Sequence, residues 1–371
     1  RFDEHPGSVV FWQGTNFGSG WVTENNKWMS DQSWEIGGPH GCAEHMADKR
    51  GRFNHVRLIE NTDARVVVHW RYVSIDVGYV FPSVGVWADE YYTIYPDGTG
   101  VRCVDGIGGG WQDTQFLSQP GTTCLDNIEL TAMSVANLDG KSHELRWELP
   151  HNVPPNPIED ACIKRINFKS EWKVFAVYQL GARLGTWGRG EQSKHTPDPF
   201  AGPWNHWPVG LNPSDGRYAV SNDRVTHAAL GGANKTGELI LYGFTRKPAA
   251  ELSAVARAWN HPPALVAVNG CEADGYDKSQ RAYRVSASGH PLTFRLQGSD
   301  KSPVVNPCFV IRNWNSNSAC SIKVNGAELK PGREFRQGLV HDTDGRAMMI
   351  IYLKLESTAT VQVEASTHPG Q

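Results

Sequence analysis

The residues with the clearest chemical potential lie between positions 53 and 72, where two alternating strands flank a polar turn. This pattern predicts a β-hairpin. With a three-residue loop centred on Thr62, His55 lies opposite His69, and both imidazoles point to one face because side chains alternate along a strand. Cross-strand Cβ atoms are about 5 Å apart, so both rings could contact one small ligand.

The predicted hairpin face that carries the histidines is also rich in arginine. Arg57, Arg65 and Arg71 fall on it, and the hairpin itself contributes no carboxylate to that face. The opposite face is apolar and forms the expected core set: Val56, Leu58, Val66, Val68, Trp70 and Tyr72. We interpret the basic face as a surface for an acidic ligand, with an ordinary solvated sheet face as the alternative.

A second hairpin is indicated over residues 90–103, with Asp97 and Gly98 at its turn. In this register Arg102 lies beside Tyr91 and Tyr95, while Tyr92 faces the apolar side. A guanidinium next to a phenol lowers the phenol pKa because it stabilises phenolate. A purely structural contact between tyrosine and arginine remains the alternative.

A third group lies in a loop-like stretch rich in tryptophan and proline. Asn205 and His206 can clamp a carboxylate or an oxyanion, and the flanking Trp204 and Trp207 offer flat surfaces for stacking on sugars. Further substrate-binding candidates follow downstream, at Arg217 and His227.

This inventory matches the β-elimination of a uronic-acid polysaccharide. The proton next to the carboxylate is weakly acidic, so an Arg, Asn or protonated His must neutralise the carboxylate as charge develops. A His or Tyr removes the proton, and a second Tyr or His protonates the departing oxygen. We therefore expect a metal-independent and cofactor-independent lyase with catalytic residues His55, His69, Tyr91, Tyr92, Asn205 and His206, and substrate-binding residues Arg57, Arg71, Arg102, Trp204, Trp207, Arg217 and His227.

Several segments resemble secreted polysaccharide-processing β-sandwich proteins, in particular polysaccharide lyases of the ulvan or rhamnose–glucuronate type. These segments are FWQGT (11–15), WVTEN (21–25), ARVVVHWRY (64–72), YTIYPDG (92–98) and NHWP (205–208). The resemblance implies a mutarotase-like supersandwich and an active site built from Asn, His, Tyr and Arg. It also implies that Asn205 and His206 neutralise the carboxylate or take the proton, with Tyr91 or Tyr92 as the acid.

Two other functions stay open. A glycoside hydrolase acting on a plant or algal glycan needs paired carboxylates, and the available ones lack a diagnostic spacing: Glu24, Asp31, Glu35, Asp89 and Glu90. A non-catalytic carbohydrate-binding protein would use the tryptophans and the basic face without an acid–base pair.

Composition limits the possible partners. Thirty-six Lys and Arg against 39 Asp and Glu give a net charge of −3, so we expect no nucleic-acid partner and no membrane partner. The expected partner is an acidic polysaccharide, and the expected state is a monomer or dimer. No G-x-S-x-G, P-loop, dinucleotide or H-E-x-x-H motif occurs in the sequence, so those chemistries have no support.

The elements that must position these residues are strands. Short alternating segments broken by 38 Gly and 22 Pro predict an all-β, antiparallel fold, with a large supersandwich-like β-sandwich followed by a smaller one. A β-propeller is the alternative. The single clear helix covers residues 248–259 and lies in a catalytic domain over 1–270, and residues 265–283 are interpreted as a junction to a C-terminal β-sandwich over 283–371.

The cysteines indicate an extracellular protein. Seven cysteines without a C-x-x-C pair, one glycosylation sequon at Asn234 and an abrupt start at Arg1 favour a secreted, processed chain. Cys308 and Cys320 flank a strand–turn–strand pattern, and we expect a disulfide across that hairpin.

Overall fold

The computed structural model describes residues 2–32, 36–38, 41–45, 48, 51–76, 87–105, 111–118, 122, 124–146, 155–185, 225–234 and 239–367. Within these ranges nearly all of the regular elements are strands, and the chain divides into two units. No helix among the described residues has the length and apolarity needed to cross a membrane.

The strands up to residue 245 are β1 Ser8–Phe11, β2 Ser19–Val22, β3 Trp28–Gln32, β4 Ile36–Gly38, β5 Gly41–Glu44, β6 Asn54–Asn61, β7 Val66–Val73, β8 Ile75–Asp76, β9 Trp87–Ile94, β10 Gly100–Asp105, β11 Trp111–Ser118, β12 Ile128–Ala136, β13 Ser142–Arg146, β14 Ile163–Phe168, β15 Lys173–Tyr178, β16 Arg183–Gly185, β17 Val225–Asn234 and β18 Leu239–Thr245. The later strands are β19 Ala264–Asn269, β20 Cys271–Asp277, β21 Ala282–Ala287, β22 Leu292–Gln297, β23 Val304–Val305, β24 Cys308–Arg312, β25 Cys320–Val324, β26 Ala327–Glu328, β27 Phe335–His341, β28 Ala347–Leu353, β29 Glu356–Ser357 and β30 Val361–Thr367. Short 3₁₀ helices cover Gln13–Thr15, Cys124–Asp126 and Ala249–Leu252.

The first unit comprises Arg1–Arg57, Val68–Tyr91 and Gly98–Ser253. Its two large sheets are six-stranded, in the order β1-β2-β3-β11-β17-β16, and nine-stranded, in the order β13-β12-β14-β15-β18-β10-β9-β7-β6; strands β4, β5 and β8 form a small third sheet. One core joins the two large sheets, with Trp21, Met29 and Phe116 from the first and Met133, Ile166 and Tyr242 from the second. Apolar faces that meet in this way define a sandwich, so the predicted all-β sandwich class is confirmed.

The second unit comprises Leu58–Val67, Tyr92–Asp97 and Ala254–Gln371. It contains two five-stranded sheets, β19-β22-β30-β25-β26 and β20-β21-β24-β28-β27. A shared core draws on both sheets, with side chains such as Phe294 and Val363 from one and Phe309 and Ile351 from the other. The Asn325-Gly326 turn between β25 and β26 has φ of 51° and 84°, the positive values that a two-residue hairpin loop requires and that Asn and Gly readily adopt.

The predicted helix is present. The 3₁₀ turn Ala249–Leu252 runs directly into helix α1, Ser253–Asn260, which ends before Pro262. Its buried residues are Ala256 and Trp259, and the indole nitrogen of Trp259 donates to the Lys278 carbonyl at 3.1 Å. Proline cannot continue a helix, which explains where α1 ends.

The interpretation of residues 265–283 as a junction is wrong, because this stretch contains β19 and β20. Each of these strands stands at the edge of its sheet, and most of their residues are exposed or half-buried. Edge strands tolerate glycine and charged residues. Their sequences therefore lack the clean alternation that revealed the other strands.

The predicted disulfide between Cys308 and Cys320 is absent, since both residues are free cysteines. The strands that carry them do not form a hairpin: β24 pairs with β21 and β28, whereas β25 pairs with β26 and β30. The two cysteines thus belong to different sheets. Local alternation predicted both strands, but it does not specify their partners.

Candidate active site

The exposed end of the nine-stranded sheet carries a group of polar and aromatic side chains on its outer face. Strands β9, β7 and β6 are the last three in the sheet order. They supply the residues that we call the outer-face cluster: His55, Arg57, His69, Arg71, Trp87, Asp89 and Tyr91. All seven belong to the first unit.

His69 is the centre of this cluster and is almost fully buried, with 1% of its surface exposed. The Nε of Arg57 donates to its Nδ1 at 2.9 Å, and its Nε2 lies 2.6 Å from Oδ1 of Asp89. A guanidinium nitrogen can only donate, so Nδ1 accepts and the ring proton lies on Nε2, where it faces the carboxylate. His69 is therefore held in one tautomer and one orientation.

Asp89 connects His69 to a second guanidinium. Its Oδ2 lies 3.5 Å from an Nη atom of Arg71, whose Cζ is 4.9 Å from the ring centroid of Trp87. The Arg71 guanidinium thus contacts the Asp89 carboxylate through one Nη atom and packs on the Trp87 ring with its flat face. The Arg71 side chain is still 39% exposed. This leaves surface on the guanidinium for an acidic ligand.

His55 is the exposed imidazole of the cluster. Its ring centroid is 6.4 Å from that of His69 and 6.4 Å from that of Trp87. Partial burial lowers the pKa of His55 from its ordinary 6.5, and the positive charges of Arg57 and Arg71 and the imidazole of His69 lower it further; Asp89 opposes them. The ring makes no hydrogen bond to any residue that the structure describes, so a neutral imidazole is available to a ligand.

Tyr91 packs its ring against His69, with centroids 4.7 Å apart and ring planes 13° apart. Partial burial raises the pKa of Tyr91 above its ordinary 10.0, and the charges of Asp89 and Asp105 add to this effect. The predicted lowering of a tyrosine pKa by a neighbouring arginine is therefore wrong for Tyr91, although Arg57 and Arg71 act in that direction. Tyr91 keeps its proton at neutral pH and can donate it.

The pairing of β6 with β7 differs from the predicted register. Thr62 N–H donates to the Arg65 carbonyl, and Val73 N–H donates to the Phe53 carbonyl. Ten residues (53–62) thus lie opposite nine (65–73), so the first strand carries one extra residue, a bulge. Arg57, rather than His55, lies opposite His69.

Two further residues of this hairpin lie elsewhere than the sequence pattern predicts. Leu58, predicted in the core, is 57% exposed. Arg65, predicted on the basic face, is buried and forms a bidentate pair with Glu60, at 2.8 and 2.9 Å. The bulge accounts for Leu58, because an extra residue reverses which face the following residues of the same strand occupy. Arg65 lies on the other strand, and its burial accompanies its contacts with Glu60 and with Oε1 of Gln280 at 2.9 Å.

Arg102 and Tyr92, which we predicted in the site, lie in the interior. Arg102 has no exposed surface and pairs with the equally buried Glu90, with Nε to Oε2 at 2.7 Å, and Glu90 also accepts from the Tyr72 hydroxyl at 2.8 Å. Tyr92 is 1% exposed. Side chains alternate along a strand, so Glu90 and Tyr92 lie on the face of β9 opposite to Asp89 and Tyr91. Arg102 therefore forms its ion pair with Glu90 in the interior and is not available to a ligand.

The remaining predicted residues cannot be placed in the site. Trp204, Asn205, His206, Trp207 and Arg217 lie outside the described residues. His227 lies on β17, but its side chain is likewise outside the described part of the structure.

Sequence reasoning missed Asp89 and Trp87 as members of the site. The strand was expected to start at residue 90, whereas β9 begins at Trp87. The alternation of Trp87, Asp89 and Tyr91 was a usable signal, because these residues must share one face once the strand is extended. Among the described side chains, no group of three or more His, Cys, Asp or Glu is arranged to hold a metal ion.

Sequence comparisons with known families and curated proteins identify no relative of this chain. No model of a known protein family matches the chain, and a search of curated proteins found no significantly similar sequence.

Proposed function

We propose that this protein is a polysaccharide lyase that cleaves a uronic-acid-containing glycan by β-elimination at the outer-face cluster. The observation that carries the proposal is that the exposed imidazole of His55, the phenol of Tyr91 and the guanidiniums of Arg57 and Arg71 surround the buried His69–Asp89 pair. These are the base, the acid and the carboxylate-binding groups that the reaction requires.

His55 would act as the base. Its Nδ1 or Nε2 takes the proton from C5 of the uronate, the carbon next to the carboxylate. The lowered pKa keeps the ring unprotonated at neutral pH, and Arg57 and Arg71 disfavour its protonation before the substrate is bound. After proton transfer, the imidazolium loses its proton to solvent.

Arg57 and Arg71 would bind the substrate carboxylate. As the C5–H bond breaks, negative charge spreads onto the carboxylate oxygens, and a guanidinium can stabilise this charge with paired N–H donors. Asp89 and His69 hold these two arginines in place through the 3.5 Å and 2.9 Å contacts described above.

Tyr91 would act as the acid. The electron pair from the C5–H bond forms a double bond between C4 and C5 as the bond from C4 to the glycosidic oxygen breaks. That oxygen takes the Tyr91 hydroxyl proton, and the phenolate recovers a proton from solvent. The products are a sugar chain with a new hydroxyl and a chain that begins with an unsaturated uronate.

Within this proposal His69 is a positioning residue. Its two ring nitrogens are both engaged, by Arg57 and by Asp89, and its surface is covered by the Tyr91 ring. It cannot reach a substrate without breaking these contacts. Its contribution is to orient Arg57 and Tyr91 around the reacting sugar.

The test is to incubate the purified protein with a panel of uronate polysaccharides and to follow the ultraviolet absorbance of the unsaturated product. We expect the absorbance to rise when the wild type is added. The rate of this rise should be at least about a hundredfold lower with His55→Gln and with Tyr91→Phe. The matched control is His143→Gln, because His143 is exposed on β13, the strand at the opposite edge of the same sheet. It should retain the wild-type rate.

Other outcomes would contradict the proposal. New reducing ends without the absorbance change would indicate a hydrolase, and binding without either product would indicate a carbohydrate-binding protein. Equal rates for His55→Gln and His143→Gln would remove the outer-face cluster from the reaction even if elimination were observed.

A further inference from the structure

We infer that Trp87 binds the sugar that follows the cleaved uronate towards the reducing end of the chain, and that it thereby sets the direction in which the glycan lies across the outer-face cluster. This inference rests on the proposed function and assigns a polarity to it.

Trp87 has the surface needed to stack on a sugar. Its side chain is 37% exposed at the beginning of β9, and the guanidinium carbon of Arg71 lies 4.9 Å from its ring centroid. The guanidinium supports the indole, and a flat supported ring can accept the apolar C–H face of a pyranose. The ligand expected here is therefore an uncharged or weakly charged pyranose unit.

The groups of the site are ordered along the strand. Trp87, Asp89 and Tyr91 share one face, and the first and last are separated by about 13 Å because a strand rises about 3.3 Å per residue. The His55 ring centroid lies 6.4 Å from that of Trp87 and 6.4 Å from that of His69. The Tyr91 ring stacks on the His69 ring at 4.7 Å, so His55 contacts Trp87 directly, whereas His69 lies between His55 and Tyr91. The base therefore lies at the Trp87 end and the acid at the other end.

The chemistry of β-elimination converts this order into a direction. The base must be near C5 of the uronate, and the acid must be near the oxygen on C4, which leads to the preceding sugar. The preceding, non-reducing part of the chain then passes over Tyr91. The uronate lies between His55 and the two arginines, and the next sugar towards the reducing end reaches Trp87.

The experiment uses a reference oligosaccharide that ends at the cleaved uronate and compares it with one extended by a sugar on its reducing side. A third oligosaccharide, extended by a sugar on its non-reducing side instead, tests the opposite direction. We expect the wild type to show a lower KM for the substrate extended on its reducing side. Trp87→Ala should reduce that preference about three- to tenfold, the range expected from the loss of one aromatic stacking contact. Trp87→Phe should keep part of the preference.

A matched control is available elsewhere in the first unit. Trp172 is half-buried, and the guanidinium of Arg246 packs over its ring, with Cζ 4.7 Å from the ring centroid. Trp172→Ala should leave the preference between the two substrates as in the wild type. Circular dichroism of each variant establishes that the fold is retained, and Trp87→Phe provides the test if Trp87→Ala does not fold.

The possible failures can be distinguished. If the wild type produces no unsaturated uronate, the proposed function is wrong. If the wild type is active but Trp87→Ala keeps the preference for the extended substrate, the stacking role is wrong. If Trp87→Ala instead loses a preference for extension on the non-reducing side, the glycan lies in the opposite direction.

Discussion

The Nε2 atom of His69 lies 2.6 Å from Oδ1 of Asp89, a residue twenty positions later on the neighbouring strand. The contact fixes the orientation of a buried imidazole and leaves the other carboxylate oxygen of Asp89 for Arg71, at 3.5 Å. One carboxylate therefore positions two of the side chains that surround the exposed His55. This arrangement leads to the first prediction.

Asp89→Asn should lower kcat by about tenfold or more, because the amide carries no charge to hold Arg71 and is a weaker acceptor for the Nε2 proton of His69. The negative charge of Asp89 raises the pKa of His55, so its removal should lower that pKa further. We expect the acidic limb of the pH–rate profile to move to lower pH. Steady-state kinetics across pH measure both effects.

The control for this variant is Asp274→Asn, which alters an exposed carboxylate on β20 that accepts from the Ser286 hydroxyl at 2.6 Å. A purely structural role for Asp89 would reduce the rate without moving the acidic limb. That result would contradict the positioning role.

The pH profile of the wild type should be a broad plateau. The base must be neutral, so the rate rises as pH increases through the pKa of His55, which lies below 6.5. The acid must be protonated, so the rate falls as pH increases through the pKa of Tyr91, which lies above 10.0. NMR titration of the His55 ring checks the first limb without any substrate, and a value above 6.5 would contradict it.

The Glu90–Arg102 pair should be important for stability. Both side chains are fully buried, and the Arg102 Nε to Glu90 Oε2 distance is 2.7 Å. Glu90→Gln leaves a buried guanidinium without its countercharge and should reduce the free energy of unfolding by about 3–5 kcal/mol. Urea unfolding monitored by fluorescence measures this change.

The matched comparison is Glu171→Gln, which disrupts the exposed Arg246–Glu171 pair, whose Nη1 to Oε1 distance is 2.9 Å and whose side chains are 61% and 64% exposed. It should cost at most about 1 kcal/mol, because water screens an exposed pair. The replacement of both interior partners, as in Glu90→Leu with Arg102→Met, should be less harmful than Glu90→Gln alone. Equal losses in the interior and exposed single variants would show that burial does not govern these pairs.

The thiols of Cys308 and Cys320 should remain reduced and react slowly in the native protein. Burial raises the pKa of Cys308 to about 11 and that of Cys320 to about 12, so little thiolate is present at neutral pH. An alkylating reagent should label both thiols only after the protein is denatured, and this labelling should need no added reductant. Peptide mass spectrometry detects the labelled cysteines. Rapid labelling of the native protein, or a disulfide-linked peptide joining Cys308 to Cys320, would contradict this expectation.

Much of the fold could be predicted because its signals are local. Alternation over five to eight residues identified the hairpin strands around Thr62 and Asp97, and flanking prolines delimited the helix that contains Trp259. Alternation also placed His55, Arg57, His69 and Arg71 together. These predictions depend on the period of two residues in a strand, which neighbouring residues alone determine.

The sequence by itself therefore determined an all-β chain and a face rich in imidazole and guanidinium groups. Tertiary structure decided what completes that face: β9 lies beside β7 and brings Asp89, Tyr91 and Trp87 to it, while Arg102 is enclosed with Glu90. It also decided the bulge that exposes Leu58 and the separate sheets of Cys308 and Cys320. The physical reason is that strand pairing depends on packing between segments distant in sequence, and a strand's own alternation carries no information about which neighbour it will have.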